Sequence, residues 1–327
     1  MGKIRLFKGV LCGVLLVFAI SVPTSALIIG TEEDLEALLP HPENSEPVSG
    51  SNSSPIAKDL RLSTYQNVAI MEHLSAYDPE GDGVTYRITK NPARGAVTLG
   101  EDGSFTYSPY EDKKGKDSFH YVAQDTGGNV SAPATVSIDI AKQKSQIHYA
   151  DMLQHPAHKA AVELAEFDVM VGDRLGEVYF FRPEETLSRA EFLVMAMNAL
   201  DGGALDDVSA TGFSDDERIA AWAKPYVSAA LLAGIVDGSR SEEGLAVFAP
   251  EAYMTYEEAS VVIERLLNLR DVRTEFATTS WSSQSLANLE AVGVLQTDTA
   301  PLSEPLTRGD AAQLLSAALK MLEFRRG

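Results

Sequence analysis

Two arginines with matching neighbours are the residues of this 327-residue chain best suited to binding chemistry. Each follows a hydroxyl residue and precedes an acid by two positions: Ser188, Arg189 and Glu191 in one segment, and Thr307, Arg308 and Asp310 in the other. A hydroxyl residue followed three positions later by an acid predicts a capping box at a helix start. A helix start presents free N–H groups and positive dipole character to an anion, and a guanidinium binds a carboxylate through paired hydrogen bonds. The sequence therefore predicts two anion-binding sites; the alternative is that the acids only cap helices and each arginine pairs with a neighbouring acid.

The two arginines lie in a region that repeats itself, which indicates an array of similar units. The first unit, residues 146–203, contains YAD at 149–151 and FRP at 181–183. The second unit, residues 208–270, contains FSD at 213–215 and FAP at 248–250. In both units the proline precedes the capping acid by eight residues. The third unit, residues 271–327, has lost the opening aspartate motif and is the most eroded copy.

Apolar residues recur at helical spacing through residues 146–327. Phe192, Met195, Ala196 and Ala199 follow the i, i+3, i+4, i+7 pattern of an amphipathic helix. The alternation typical of strands is absent, so the pattern predicts an all-α region.

The order of these motifs resembles three consecutive S-layer homology domains: an aspartate turn, a helix, a glycine segment, Phe-x-Pro, a segment similar to Thr-Arg-Ala-Glu and a second helix. The resemblance covers residues 146–327. It implies three helical units packed as a pseudo-threefold bundle that anchors exported proteins non-covalently to secondary polysaccharides of the cell wall, which are often pyruvylated. It also implies that Arg189 and Arg308 hold a ketal-linked pyruvate carboxylate.

Other residues of the repeats are candidates for contact with such a polysaccharide. Tyr256 replaces the arginine in the second unit; it can stack on a sugar ring but cannot pair with a carboxylate. Three glycines, Gly172, Gly234 and Gly238, could allow a ligand to approach the backbone closely. We favour the alternative that all three end helices in the left-handed conformation. Trp222 and Trp281 are sugar platforms or core residues, and the core is the prediction we favour.

Residues 56–141 show short runs of two-residue alternation separated by glycine-rich turns, which predicts an antiparallel β-sandwich. The segments at 76–88, 95–110 and 115–140 resemble the cadherin-like, immunoglobulin-type repeats of bacterial surface proteins. The fold class expected for the whole chain is therefore an all-β cadherin-like sandwich followed by an all-α bundle.

Three acids of the sandwich form a candidate calcium site: Asp78, Asp82 and Asp125. An EF-hand is excluded because Thr89 stands at the twelfth position, where that loop needs a bidentate acid. The simpler alternative is a solvated acidic turn, and no other cofactor is expected.

The N-terminal residues indicate export. Residues 1–26 combine a basic start, an apolar stretch and small residues before a predicted cleavage point, which is typical of a signal peptide. Residues 27–55, rich in Pro, Ser and Glu, are predicted to be a disordered linker. The only cysteine, Cys12, lies in the signal peptide, and the net charge of −20 argues against nucleic-acid binding.

Together these features predict a secreted, non-enzymatic surface protein of a bacterium with a Gram-positive-type envelope. Its expected partner is an acidic, often pyruvylated, secondary cell-wall polysaccharide attached to peptidoglycan, with the sandwich displayed as a module. The alternative is a structural protein of the surface layer whose degenerate repeats bind other surface proteins. No hydrolase or metalloprotease motif occurs in the sequence, so we expect no enzyme.

Overall fold

The computed structural model describes residues 52–272, 280–295 and 301–326. The predicted signal peptide, the predicted linker up to residue 51 and the opening of the third unit at 273–279 lie outside the described residues. Among the described helices, none has the length and apolar character needed to cross a membrane.

Nine strands occupy residues 56–141. They are β1 (Ile56–Ala57), β2 (Leu60–Tyr65), β3 (Ile70–His73), β4 (Ala76–Tyr77), β5 (Val84–Lys90), β6 (Gly95–Leu99), β7 (Ser104–Pro109), β8 (Gly115–Asp125) and β9 (Ala134–Ala141). One sheet has the order β2-β9-β8-β5, a second has the order β3-β7-β6, and β1 pairs with β4. Strands β2 and β9 run parallel, whereas the other neighbours are antiparallel.

The alternation in these strands places one set of side chains between the sheets. Four aromatic side chains are buried there: Phe105, Tyr107, Phe119 and Tyr121. The rings of Phe105 and Phe119 pack edge to face, with their centres 5.3 Å apart. Asp117 lies at the edge of this core and accepts a hydrogen bond of 2.7 Å from the Tyr107 hydroxyl. Burial alone would raise the pKa of Asp117, but hydrogen bonds from backbone N–H groups and from Tyr107 hold it below its usual value. The region is therefore β-rich, as the sequence predicts.

Six α-helices and one short 3-10 helix, Asp216–Arg218, follow in the described residues. The α-helices are α1 (His158–Ala165), α2 (Arg189–Ala199), α3 (Lys224–Leu232), α4 (Tyr256–Leu267), α5 (Ser283–Ala291) and α6 (Arg308–Arg326). Two short hairpins interrupt them: β10 (Asp173–Leu175) with β11 (Val178–Phe180), and β12 (Ser239–Arg240) with β13 (Ala246–Val247). The prediction of a purely α-helical region is wrong in this respect, because strands of two or three residues are too short to show a period of two.

The segments that precede α2, α4 and α6 meet in a closed ring of backbone hydrogen bonds. The N–H of Leu187 donates to the carbonyl of Leu306 at 3.0 Å, Leu306 donates to Met254 at 2.7 Å, and Met254 donates to Leu187 at 2.9 Å. All three side chains are buried in the helical core. The ring joins the three sequence units through equivalent positions.

The sandwich contributes directly to the helical core. Val68, in the turn between β2 and β3, is 1% exposed and belongs to the same buried cluster as the helices. Tyr65 packs against that cluster; burial, with the nearby charges of Glu163 and Glu166, raises its pKa to about 12. The Glu166 carboxylate also accepts hydrogen bonds from the N–H groups of residues 144 and 145. The segment between the sandwich and the helices is therefore a packed junction.

Candidate functional site

The aspartate of each opening motif fixes the Phe-x-Pro turn of its own unit. Asp151 accepts hydrogen bonds from the N–H groups of Phe181 at 2.9 Å and Arg182 at 2.7 Å. Asp215 makes the equivalent bonds to Phe248 at 2.8 Å and to the next residue at 2.7 Å. The central residue of each turn has a positive φ, 56° in the first unit and 54° in the second. The aspartates thus stabilise turns whose backbone is otherwise unfavourable.

The predicted capping boxes are confirmed. At α2 the N–H of Ser188 donates to Glu191 at 2.9 Å and the N–H of Glu191 donates to the Ser188 hydroxyl at 3.3 Å. At α6 Thr307 and Asp310 make the same reciprocal bonds, each 3.1 Å long. At α4 the pair is Thr255 and Glu258. Each box holds the first residue of its helix in a fixed position.

The N–H groups at these helix starts are not free, so the prediction of an anion seat on them is wrong. The N–H of Arg189 donates to the carbonyl of Ala252 at 2.9 Å, and the next N–H donates to Pro250 at 3.1 Å. The N–H of Arg308 donates to Glu185 at 2.8 Å, and the next N–H donates to Pro183 at 2.9 Å. The backbone of a neighbouring unit therefore occupies the donors, and only the side chains remain for a ligand.

The Arg189 side chain crosses from the first unit to the second. Its Nε donates to the carbonyl of Phe248 at 3.0 Å, and its guanidinium lies 5.7 Å from the centre of the Phe248 ring. Its Nη1 forms an ion pair of 2.7 Å with Glu258, and the side chain is 17% exposed. The arginine is thus held by a carbonyl, a ring and a carboxylate of the second unit.

Arg308 makes the equivalent contacts from the third unit to the first, with one difference. Its Nε donates to the carbonyl of Phe181 at 2.8 Å, and its guanidinium lies 5.1 Å from the centre of the Phe181 ring. It forms no ion pair with any described residue. Within the part of the chain that the structure describes, the Nη groups of Arg308 therefore carry a positive charge that no carboxylate pairs with, in contrast to those of Arg189.

A groove of about 350 Å³ opens beside Arg189. Its polar lining includes Glu258, Asp237 and Arg265, and its aromatic lining includes Tyr253 and Trp281. Arg265 pairs with Asp237 at 2.9 Å and also donates to the carbonyl of residue 235 at 3.1 Å. The volume falls within the usual range of small-ligand pockets, and the mixture of aromatic faces and a few oriented polar groups is typical of them.

Sequence reasoning missed Glu258, Asp237, Arg265 and Tyr253 as residues of this groove. For Glu258 a signal was available, because it stands in the second unit where Glu191 stands in the first. The other three lie within the second unit, before and within α4 and after α3, and they come together only when that unit folds, which repeat comparison does not reveal.

The two tryptophans are exposed, so the prediction that both belong to the core is wrong. Trp222 is 52% exposed and Trp281 is 65% exposed. Each lies at the turn that leads into a helix, Trp222 before α3 and Trp281 before α5, rather than on the buried face of that helix. Trp281 lines the groove beside Arg189.

Tyr256 occupies the first position of α4 and packs partly buried against the helical core. Burial, with the nearby charge of Asp310, raises its pKa to about 12. The hydroxyl stays protonated at physiological pH and can only act as a neutral hydrogen-bonding group.

The glycines serve backbone geometry in two ways. Gly234 follows α3 with a φ of 69°, which agrees with the favoured interpretation of a helix end. Gly172 and Gly238 instead precede the hairpins. A Cβ at Gly172 would lie 2.5 Å from the Phe180 carbonyl oxygen, and a Cβ at Gly238 would lie 2.5 Å from the Phe213 ring. For these two the close approach is to the protein itself.

Two of the three candidate calcium residues, Asp78 and Asp125, have carboxylates that accept hydrogen bonds from the protein. One oxygen of Asp78 accepts hydrogen bonds from the N–H groups of Glu80 and Asp82, both 3.0 Å long. Asp125 accepts hydrogen bonds from Asn129 at 2.8 Å and from Asn52 at 3.1 Å. Asp78 and Asp125 are 7% and 6% exposed, so the alternative of a solvated turn does not describe them. Within the described residues, no group of three potential metal ligands is assembled.

Two families match the chain. Residues 44–142 match the bacterial cadherin-like domain, and residues 212–260 match the S-layer homology domain. The chain therefore contains both kinds of domain, as the motifs indicated. The cadherin-like match begins within the predicted linker, and Asn52 and Ser53 indeed bind residues of the sandwich.

Three relatives share part of the chain. Exoglucanase XynX of Acetivibrio thermocellus is 37% identical over 89 residues, which are 26% of this chain and 8% of that protein. Amylopullulanase of Thermoanaerobacterium thermosulfurigenes is 37% identical over 89 residues, 26% of this chain and 5% of that protein. Surface-layer 125 kDa protein of Lysinibacillus sphaericus is 28% identical over 192 residues, 55% of this chain and 15% of that protein. The chain thus spans less than a sixth of any of these relatives.

The matched domains are surface-anchoring modules without catalytic function. The similarity to the surface-layer protein agrees with a location at the cell surface.

Proposed function

We propose that this chain is exported and anchors itself non-covalently to the bacterial cell wall by binding an acidic, often pyruvylated, secondary polysaccharide. The observation that carries the proposal is the groove beside Arg189, where two arginines and two exposed aromatic side chains line an opening of ligand size. The presence of an S-layer homology domain in the same region supports it. The sandwich is then the module that the anchor displays.

The three helical units are proposed to form a pseudo-threefold bundle. The closed ring of hydrogen bonds between Leu187, Met254 and Leu306 supports this arrangement, because each residue precedes the capping box of its own unit. The equivalent reach of Arg189 to Phe248 and of Arg308 to Phe181 also supports it. Such a bundle repeats one groove between successive units, each built around the first residue of a helix.

The proposed ligand contacts follow from this arrangement. Arg189 and Arg308 are the basic side chains at the two places where the polysaccharide is proposed to bind, and Trp281 and Tyr253 provide aromatic faces beside Arg189. Ser188, Glu191, Thr307 and Asp310 act through the capping boxes, which hold the arginines in position.

The test is retention of the full chain on purified native sacculi, measured by co-sedimentation. Replacing Arg189 and Arg308 together with alanine is expected to lower the affinity at least tenfold, because the ligand loses charge-assisted hydrogen bonds to Arg308 and the groove loses the contacts of Arg189 with Phe248 and Glu258. The matched control replaces Arg87 and Arg270, two exposed arginines outside the groove, and removes the same charge. Unchanged retention of the first variant would favour the alternative, a surface-layer protein that binds other surface proteins.

A further inference from the structure

The groove beside Arg189 contains cations, but each is already neutralised. Arg189 pairs with Glu258 at 2.7 Å, and Arg265 pairs with Asp237 at 2.9 Å. The two pairs together carry no net charge. A ligand carboxylate that bound Arg189 would have to displace Glu258 or lie next to it, and like charges at such short range repel strongly.

The same groove has the features of a site for an uncharged sugar residue. Trp281 is 65% exposed and Tyr253 is 64% exposed, so both offer wide faces to a ligand. Around them, ion-paired side chains present oriented donors and acceptors, which suit hydroxyl groups. The apolar faces of exposed aromatic side chains are unfavourably hydrated, so a sugar ring that stacks on them gains binding free energy by removing that surface from water.

Arg308 lies in a different electrostatic setting. Its Nε donates to the Phe181 carbonyl and its guanidinium lies over the Phe181 ring. Arg189 makes the same two contacts with Phe248. The position equivalent to Glu258 is Glu191; both acids form a capping box with the hydroxyl residue before their helix, but among the described residues Glu191 forms no ion pair with Arg308. Nearby Glu185 is paired with Arg182 at 3.1 Å. No described carboxylate therefore neutralises Arg308.

We propose that the two arginines have different functions: Arg308 binds the acidic group of the wall polysaccharide, whereas the groove at Arg189 binds an uncharged sugar residue stacked on Trp281 or Tyr253. This inference rests on the proposed function of wall binding and divides that function between two places. Arg189 is then a positioning residue that joins the first unit to the second.

The experiment compares two forms of one probe. The polysaccharide extracted from the wall is used directly and after carbodiimide–borohydride reduction, which converts its carboxylates to alcohols. The affinity of the full chain for each form gives a preference ratio. Because both affinities are measured on the same sample, a partly unfolded variant changes both and leaves the ratio intact.

The wild-type chain is expected to prefer the unreduced form by about tenfold, the value of one charge-assisted contact. Arg308→Gln is expected to lower the ratio to about one, and Arg189→Gln to leave the ratio unchanged. Trp281→Ala is expected to lower the affinity for both forms of the polysaccharide by the same factor, which leaves the ratio unchanged. Loss of the preference in Arg189→Gln but not in Arg308→Gln would overturn the inference.

A second variant tests the inference without removing an arginine. Glu258→Gln frees Arg189 from its partner, and glutamine still completes a capping box. The preference ratio is expected to rise above the wild-type value. An unchanged ratio would contradict the claim that Glu258 neutralises Arg189 and keeps the groove from binding a carboxylate. If the wild-type chain binds neither form, the proposed function itself fails, which is a different outcome from an altered ratio.

Discussion

At the scale of single residues, Asp215 is the clearest case of an acid that serves the fold rather than the ligand. It accepts two backbone hydrogen bonds of 2.8 and 2.7 Å in the Phe-x-Pro turn. Asp215→Ala is expected to lower the free energy of unfolding by about 2–3 kcal/mol, because the two N–H groups lose a charged acceptor. Chemical denaturation measures this, with the exposed Asp206→Ala as control. Equal stability of the two variants would contradict the assigned role.

His158 makes the stability of the helical region depend on pH. Burial lowers its pKa from 6.5 to about 4, and the positive charge of His155 acts in the same direction. Between these values the unfolded chain binds a proton that the folded chain does not, so stability falls as the pH is lowered from 6.5 toward 4. Urea denaturation at pH 7 and pH 4.5 should show this fall.

The control for His158 is a histidine that is exposed. His158→Gln is expected to flatten the pH dependence, whereas His73→Gln, at a site whose side chain is 71% exposed, should leave it unchanged. A pH dependence in His158→Gln as steep as in the wild-type chain would contradict the prediction.

The sequence identified Arg189 and Arg308 correctly as equivalent residues, because the repeats align them. It did not reveal that Glu258 neutralises one of them, since the two residues are 69 positions apart and meet only after the units pack. The exposure of Trp281 was missed for the same reason. Large aromatic residues are usually buried, and only packing between units shows which ones remain at a groove.

At the scale of elements, the capping boxes determine where α2, α4 and α6 begin. Thr255→Ala is expected to cost about 1 kcal/mol of stability, because the N–H of Glu258 loses its acceptor at 3.2 Å. Thr255→Ser keeps the hydroxyl and should remain within a few tenths of a kcal/mol of the wild-type chain. The measurement is thermal unfolding followed by circular dichroism, and an equal loss in both variants would contradict the capping role.

The periodicity of the sequence predicted helices and strands more reliably than their arrangement. Long runs such as 308–326 and 115–125 form a helix and a strand, as their patterns indicate. The hairpins β10–β11 and β12–β13 were not predicted because strands of two or three residues carry no measurable period. The parallel pairing of β2 with β9 joins residues 76 positions apart, which no local pattern reveals.

At the scale of the whole molecule, the sandwich and the helical region share a core at Val68. We therefore expect them to unfold in one cooperative transition. Val68→Asp places an unpaired charge in that core and should lower the free energy of unfolding of the helical region by several kcal/mol. The matched control is Val130→Asp, because Val130 is 42% exposed on the sandwich. Calorimetry distinguishes the cases, and two separate transitions in the wild-type chain would contradict a shared core.

The shared core also determines how wall binding has to be measured. A fragment that begins after residue 145 would lose Val68 and Tyr65 from the helical cluster and expose the surface they cover. Binding experiments on the full chain keep that surface covered and preserve the positions of the arginines.

The most direct test of wall anchoring is co-sedimentation of the full chain with native sacculi, beside sacculi stripped of secondary polysaccharide. The account predicts that the chain sediments with the native sacculi and remains in the supernatant with the stripped ones. Equal sedimentation with both would show that the polysaccharide is not the ligand. Sedimentation with neither would contradict the anchoring function and direct attention to protein partners at the cell surface.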